Sequence, residues 1–121
     1  MTTKIQAIEA CLQFGAVYED YPFDQNWAAI RHNGNKKTFA FVYEYRGQIR
    51  INLKAIPPLV TAWINKYPAV IPAYHMNKQN WITVILDGTL PREVIESLIA
   101  DSYNLTKPKL KSAKAAERDP R

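Results

Sequence analysis

Apolar residues recur along this chain at two periods, and the changes of period divide it into elements. Ile5, Ile8 and Leu12, with Cys11 beside them, follow helical spacing. Thr3 with Gln6 three residues on has the form of a capping box and Gly15 suits a helix end, so a helix is predicted over 3–14. Residues 18–23 show no period and include Pro22, which predicts an aromatic-rich loop. Strands are predicted over 27–32, over 38–45 and over 48–54, turned by Asn33, Gly34 and Asn35 and then by Arg46 and Gly47. In the last of them Ile49, Ile51 and Leu53 alternate with Arg50, Asn52 and Lys54, the pattern of a sheet with one buried face. Pro57 and Pro58 suit a helix start, Leu59, Val60, Trp63, Ile64 and Tyr67 form its apolar stripe, and Pro68 stops it. Residues 69–72 are extended, and 73–76 are expected to pair with 81–86 as a second hairpin across the polar loop Asn77, Lys78, Gln79, Asn80. Asp87 and Gly88 turn the chain, Thr89 is placed to cap, Pro91 falls in a first turn, and Val94, Ile95, Leu98 and Ile99 mark a last helix.

The resulting order, α-β-β-β-α-β-β-α, contains runs of adjacent strands rather than alternating βαβ units. It predicts an α+β two-layer sandwich, an antiparallel sheet with its helices on one face. Phe39, Phe41, Tyr43 and Tyr45 alternate and are expected to share one face as core. The segment from Lys37 to Glu44 approaches the RNA-recognition strand pattern, but Thr38 replaces its glycine, Glu44 stands where an aromatic is needed, and the element order differs.

Composition adds bounds. The 121 residues allow one ordinary domain, and 47% hydrophobic content is enough to bury a core. The net charge of +5 matters only once it is located. Residues 106–121 carry Lys107, Lys109, Lys111, Lys114, Arg118 and Arg121 against Glu117 and Asp119, and the preceding body is nearly neutral. A single domain over 1–105 and a basic, disordered tail over 106–121 are therefore expected. Such a tail binds polyanions by counterion release, or simply keeps the chain soluble. A lone cysteine excludes an internal disulfide, and with two histidines it leaves a compact zinc site short of ligands, so no metal or cofactor is predicted. No apolar run is long enough to span a membrane, and Met1 to Lys4 lead straight into an amphipathic pattern rather than a signal peptide. A cytoplasmic, reducing location is the expectation.

Two groups of residues suggest chemistry. If Ile49, Ile51 and Leu53 face the helices, Arg50 and Lys54 project from the opposite face, joined by Arg31, with Lys78 in the hairpin loop. These cations could touch phosphates while Trp27 or Trp81 stacks on a base; the plain alternative is a solvated sheet face. Tyr74, His75, Asn77, Lys78 and Trp81 are the densest polar and aromatic group, able to line a small-ligand pocket, to meet a protein partner, or merely to satisfy the turn. Cys11 lies on an apolar stripe and is expected to be a packed thiol. Glu19, Asp20 and Asp24 have no second group set against them by spacing. With no Gly-rich phosphate loop, nucleophile elbow or HExxH pair, no catalytic residue is assigned and a non-enzymatic role is expected.

Ile51-Asn52-Leu53-Lys54, Tyr67-Pro68, and above all Pro72-Ala73-Tyr74-His75-Met76-Asn77-Lys78 followed after two residues by Trp81-Ile82-Thr83-Val84, then Leu86-Asp87-Gly88, resemble the MmcQ/YjbR family of small bacterial proteins. The likeness extends through Tyr21-Pro22-Phe23, the Phe39 strand and Ser102-Tyr103, covering roughly residues 3–105. It departs at Ala55-Ile56-Pro57-Pro58, where typical members carry a cysteine and a Pro-Glu pair, and it stops before the tail. The resemblance implies a two-layer α+β fold similar to the secretion-chaperone-like architecture, and DNA binding as the function. On this basis weak, salt-sensitive DNA binding is expected through Arg31, Arg50, Lys54, Lys78, Trp81, Lys107, Lys109 and Lys111, with Tyr74, His75 and Asn77 as ligand or partner candidates.

Overall fold

The computed structural model describes residues 1–109. Helix α1 (Lys4–Leu12) is opened by the expected capping box: the Thr3 hydroxyl accepts the Gln6 N–H, and the Gln6 side chain accepts the Thr3 N–H. Gly15 and Ala16 both have positive φ and swing the chain into β1 (Val17–Asp20). Strands β2 (Ala28–His32), β3 (Thr38–Tyr45) and β4 (Gln48–Lys54) follow, then α2 (Pro57–Lys66), β5 (Val70–Pro72), β6 (Trp81–Ile85) and α3 (Arg92–Thr106). All neighbouring strands are antiparallel, in the order β1-β2-β3-β4-β6-β5.

Alternation along the strands sends Ala28, Ile30, Ala40, Val42, Ile51, Leu53, Ile82 and Val84 toward one face. There they form one core with Ala7, Ala10 and Cys11 of α1, Val60 of α2, and Ile95, Leu98 and Ile99 of α3. Three helices therefore cover one side of the sheet, as the element pattern predicts, because each has a single apolar stripe to bury. Burial pushes the Cys11 thiol up to about 12, which disfavours the reactive thiolate and agrees with a packing role.

Several details depart from the sequence expectations. Residues 17–20 are an edge strand rather than part of the aromatic loop; a four-residue edge strand that is half-buried shows too little alternation to announce itself. Residues 73–76 do not pair with β6. That edge is taken by β5 in the register Val70↔Val84, Ile71↔Thr83 and Pro72↔Ile82, and Pro72, which lacks an N–H, ends the short edge strand. Thr89 does not cap α3, whose N-cap is Pro91; its N–H and hydroxyl donate to the Asp87 carboxylate instead. The boundary expected after Leu105 falls inside the last turn of α3. Thr106 is buried, its hydroxyl donates to Ser102 O, and Asn35 Nδ2 donates to Thr106 O. Pro108 then lies so close to Gly34 that a Cβ there would sit 2.7 Å from its ring.

The aromatic residues of β3 do not share one face either. Between Ile30↔Ala40 and Arg31↔Thr38 the register gains one residue on β3, so Phe39 bulges and turns to the helix side with Ala40. Phe39 packs on Phe14, His32 and Tyr103, while Phe41 faces Phe23, Trp27 and Trp81 across the sheet. Ser102 closes the ladder beside the bulge: its hydroxyl donates to Phe39 O at 2.6 Å and accepts the Lys54 N–H at 2.9 Å.

His32 is buried between Phe39 and Tyr103, 2.8 Å from the Thr106 hydroxyl. The Thr106 hydroxyl also donates to Ser102 O, so His32, Thr106 and Ser102 form one buried chain of polar groups. Burial lowers the His32 pKa from the ordinary 6.5, the hydrogen bond to Tyr103 O opposing. With the folded value below the unfolded one, this stability is complete above about pH 6.5 and is lost as pH falls toward the folded value. Thermal melts from pH 8 to 5 are expected to show a falling Tm, and the His32→Asn variant a flatter profile over the same range.

Candidate nucleic-acid interface

The helix-free face is not a bare polar surface. Asn52, at the centre of β4, projects onto it and is fully buried there. Its Oδ1 accepts from the Tyr43 hydroxyl at 2.9 Å and the Thr83 hydroxyl at 2.6 Å, and its Nδ2 donates to Tyr74 O at 2.9 Å. Thr83 Oγ1 in turn accepts the Tyr74 N–H at 2.8 Å. Both backbone groups of Tyr74 are thus satisfied by side chains standing up from the sheet. This is why residues 73–76 lie across the face instead of pairing at its edge. Burial raises the Tyr43 phenol above its ordinary pKa and keeps it a donor in this network.

The crossing segment assembles an aromatic layer. Trp27 stacks on Tyr43 with centroids 3.9 Å apart and planes within 9°. Tyr74 packs against Tyr43, Tyr45 and Trp27, and His75 lies 4.1 Å from the Tyr74 ring. His75 itself has φ 59°, a conformation uncommon for a residue with a side chain, and is exposed.

Cations lie over this layer. The Arg50 guanidinium is 4.7 Å from the Tyr45 ring and 5.7 Å from Tyr74, and its Nε and Nη2 donate to Gln48. Arg46 also lies over Tyr45, 5.2 Å from the ring centroid. Lys54 Nζ is 5.9 Å from the Trp81 ring, which contacts Phe41. Arg50 and Lys54, four residues apart on one strand, are about 13 Å apart along it.

The topology sorts the remaining expected residues. Lys78 is exposed in the 77–80 loop, which the Ala55 N–H anchors to the Lys54 end of β4 through Asn80 O at 2.9 Å. Lys107 and Lys109 are exposed beyond α3 at that same end, beside the β2–β3 turn. Arg31 also lies there, but its guanidinium is bonded to Asp20 at 2.9 Å and to Lys36 O at 3.1 Å, away from Arg50. Asn77 bonds Gln79 N through its side chain and shapes the loop. Lys111 lies outside the described residues. Sequence reasoning missed Tyr43, Tyr45, Arg46, Phe23, Asp24 and Met76 as parts of the face. Strict alternation would have placed Tyr43 and Tyr45 opposite Ile51 had the bulge at Phe39 been visible.

Among the described residues no group of three or more His, Cys, Asp or Glu is placed to hold a metal ion, and no helix is long and apolar enough to cross a membrane.

Comparison with known proteins finds the same sheet elsewhere. A crystal structure of a Pseudomonas syringae protein superposes with a TM-score of 0.79 at 34% identity, covering 86% of this chain and 98% of that one. A Deinococcus radiodurans protein with a DUF419 domain gives a TM-score of 0.78 at 29% identity, covering 87% of this chain and 78% of its own. The uncharacterised Bacillus subtilis protein YyaQ is 35% identical over 100 residues, covering 73% of this chain and 84% of YyaQ. The uncharacterised Escherichia coli K12 protein YjbR is 35% identical over 78 residues, covering 64% of this chain and 66% of its own length. The YjbR family profile matches residues 12–105, and with them the 73–76 segment that crosses the sheet: the chain belongs to the YjbR family.

Proposed function

We propose that this protein binds single-stranded DNA on the helix-free face of its sheet, without catalysing a reaction on it. The observation that carries the reading is the pairing of cations with half-exposed rings across three adjacent strands: Arg46 and Arg50 over Tyr45 and Tyr74, and Lys54 over Trp81. Single-strand binders combine these two features, since phosphates need positive charge and unpaired bases need rings to stack on. A duplex hides the faces of its bases and would use only the charges. Lys78, Lys107 and Lys109, at the Lys54 end of the sheet, extend the cationic track.

The test is a titration of labelled single-stranded and duplex DNA with the full chain over a salt series. Single strands are expected to bind more tightly, with a slope of log affinity against log salt near −2.8 for about four phosphate contacts. Replacing both Arg50 and Lys54 by Ala is expected to weaken binding at least tenfold, at unchanged Tm, and to flatten the slope by about 1.4. Absence of binding at low salt, or binding indifferent to that double substitution, would overturn the reading.

A further inference from the structure

Beside the aromatic layer the helix-free face opens into a cleft of about 300 Å³ lined by Phe23, Asp24, Trp27, Phe41, His75 and Met76. Taking the single-strand reading as its basis, we infer that this cleft is a pocket for one nucleobase, selective for bases that carry an exocyclic amino group.

The walls suit a flat ring. Phe23 and Phe41 lie within 23° of parallel with centroids 6.2 Å apart, and Trp27 stands at 70° to Phe41 as the end wall. A ring held between two others needs about 7 Å, two van der Waals contacts in series. The occupied pocket therefore requires Phe23, 71% exposed on the 21–27 loop, to shift outward by the difference. Trp27, stacked on Tyr43, and Phe41, fixed in the sheet, make the rigid side.

The polar groups set the choice of base. Asp24 Oδ1 accepts the N–H groups of Asn26 at 2.9 Å and Trp27 at 3.1 Å, which fixes the carboxylate at the cleft. An ionised carboxylate only accepts hydrogen bonds. It therefore suits the amino group of cytosine, adenine or guanine, whereas thymine offers it only an N3–H flanked by two carbonyls that it repels. The cleft is also one ring away from each cation pair. Phe41 contacts Trp81, under Lys54, while Trp27 and His75 contact Tyr74, under Arg50. A strand with one base in the cleft thus runs its flanking phosphates toward Arg50 and Lys54.

Binding of oligo-dC and oligo-dT of equal length to the full chain tests the pocket, since backbone charge is the same in both. Oligo-dC is expected to bind about tenfold more tightly. The Asp24→Asn variant keeps an oxygen for the Asn26 and Trp27 N–H groups and presents an amide donor to the cleft. It is expected to lose the dC preference and gain affinity for dT, with an unchanged Tm. Equal binding of dC and dT by wild type, with Arg50 and Lys54 still required, would overturn the pocket and leave the single-strand reading standing. Free cytidine and thymidine give a second readout through the Trp27 indole N–H and Met76 methyl resonances. If neither oligonucleotide binds but cytidine alone shifts both signals, the pocket stands and the strand reading falls. If neither nucleoside nor oligonucleotide does so, both fall.

Discussion

Truncating Phe39 to alanine is expected to lower the unfolding free energy by about 4 kcal/mol, whereas the same change at Phe41 costs roughly half as much. The two residues are one pleat apart on β3, yet the bulge sends them to opposite faces. Phe39 is fully buried, edge-on to Phe14 and Tyr103 and against His32, so its removal leaves a cavity between α1, α3 and the sheet. That cavity also loosens the site where Ser102 joins Phe39 O to the Lys54 N–H. Phe41 is only partly buried, in a layer of rings open to solvent, and beside exposed neighbours such as Phe23 its loss leaves no closed cavity. Urea unfolding of the two variants measures the difference. The functional order should be reversed: Phe41→Ala removes a wall of the cleft and weakens oligonucleotide binding, and Phe39→Ala, where folded, leaves it nearly intact. Equal destabilisation of the two variants would show that the bulge does not divide the strand in this way.

Replacing Asn52 by alanine is expected to cost about 3 kcal/mol, and to cost binding as well. Asn52 accepts from two hydroxyls and donates to one carbonyl at a buried point of the face. Without it the Tyr43 hydroxyl, the Thr83 hydroxyl and Tyr74 O lose partners together, and each buried polar group left unsatisfied costs about 1–3 kcal/mol, partly recovered by water or rearrangement. The 73–76 segment would then lose half of what holds Tyr74 to the sheet. Tyr74 and His75 leave their places, and with them the ring under Arg50. Thr83→Val tests the other half of the clasp, by removing the acceptor for the Tyr74 N–H while keeping the shape of the side chain. Urea midpoints report the stability, and the Tyr74 and His75 ring resonances report the position of the segment. An Asn52→Ala protein with wild-type stability would mean that the network is not what holds the segment down.

The parts of this molecule legible from residue order are those governed by neighbours a few positions away. The capping box at Thr3 and Gln6, the strict alternation in β4, the two-residue turn at Arg46 and Gly47, and Pro57 at the start of α2 are local devices, and each is where its spacing predicts. Cys11 is buried as expected, but the face of α1 that enters the core is Ala7, Ala10 and Cys11, with Ile8 and Leu12 at its margin and Ile5 exposed, because the close approach of α1 to the sheet admits only small side chains. The placement of Arg50 and Lys54 opposite the helices followed from the period of two.

What the residue order left open depended on contacts distant in sequence. Whether 73–76 pairs at an edge or crosses the face turns on Asn52 and Thr83, which supply hydrogen bonds from 22 and 9 positions away. No local pattern in Tyr74 or His75 encodes that competition. The bulge at Phe39, the pairing of Arg31 with Asp20 on an unforeseen edge strand, and the contact of Thr106 with His32 across 74 residues are of the same kind.

Residue order alone was enough for the fold class, for the face of the sheet that the helices cover and for the cations on the other face, because hydrophobic period and turn chemistry act within a few residues. That the helix-free face is a layered aromatic surface with a cleft emerges only in the folded chain, because a buried amide must find partners wherever folding brings them.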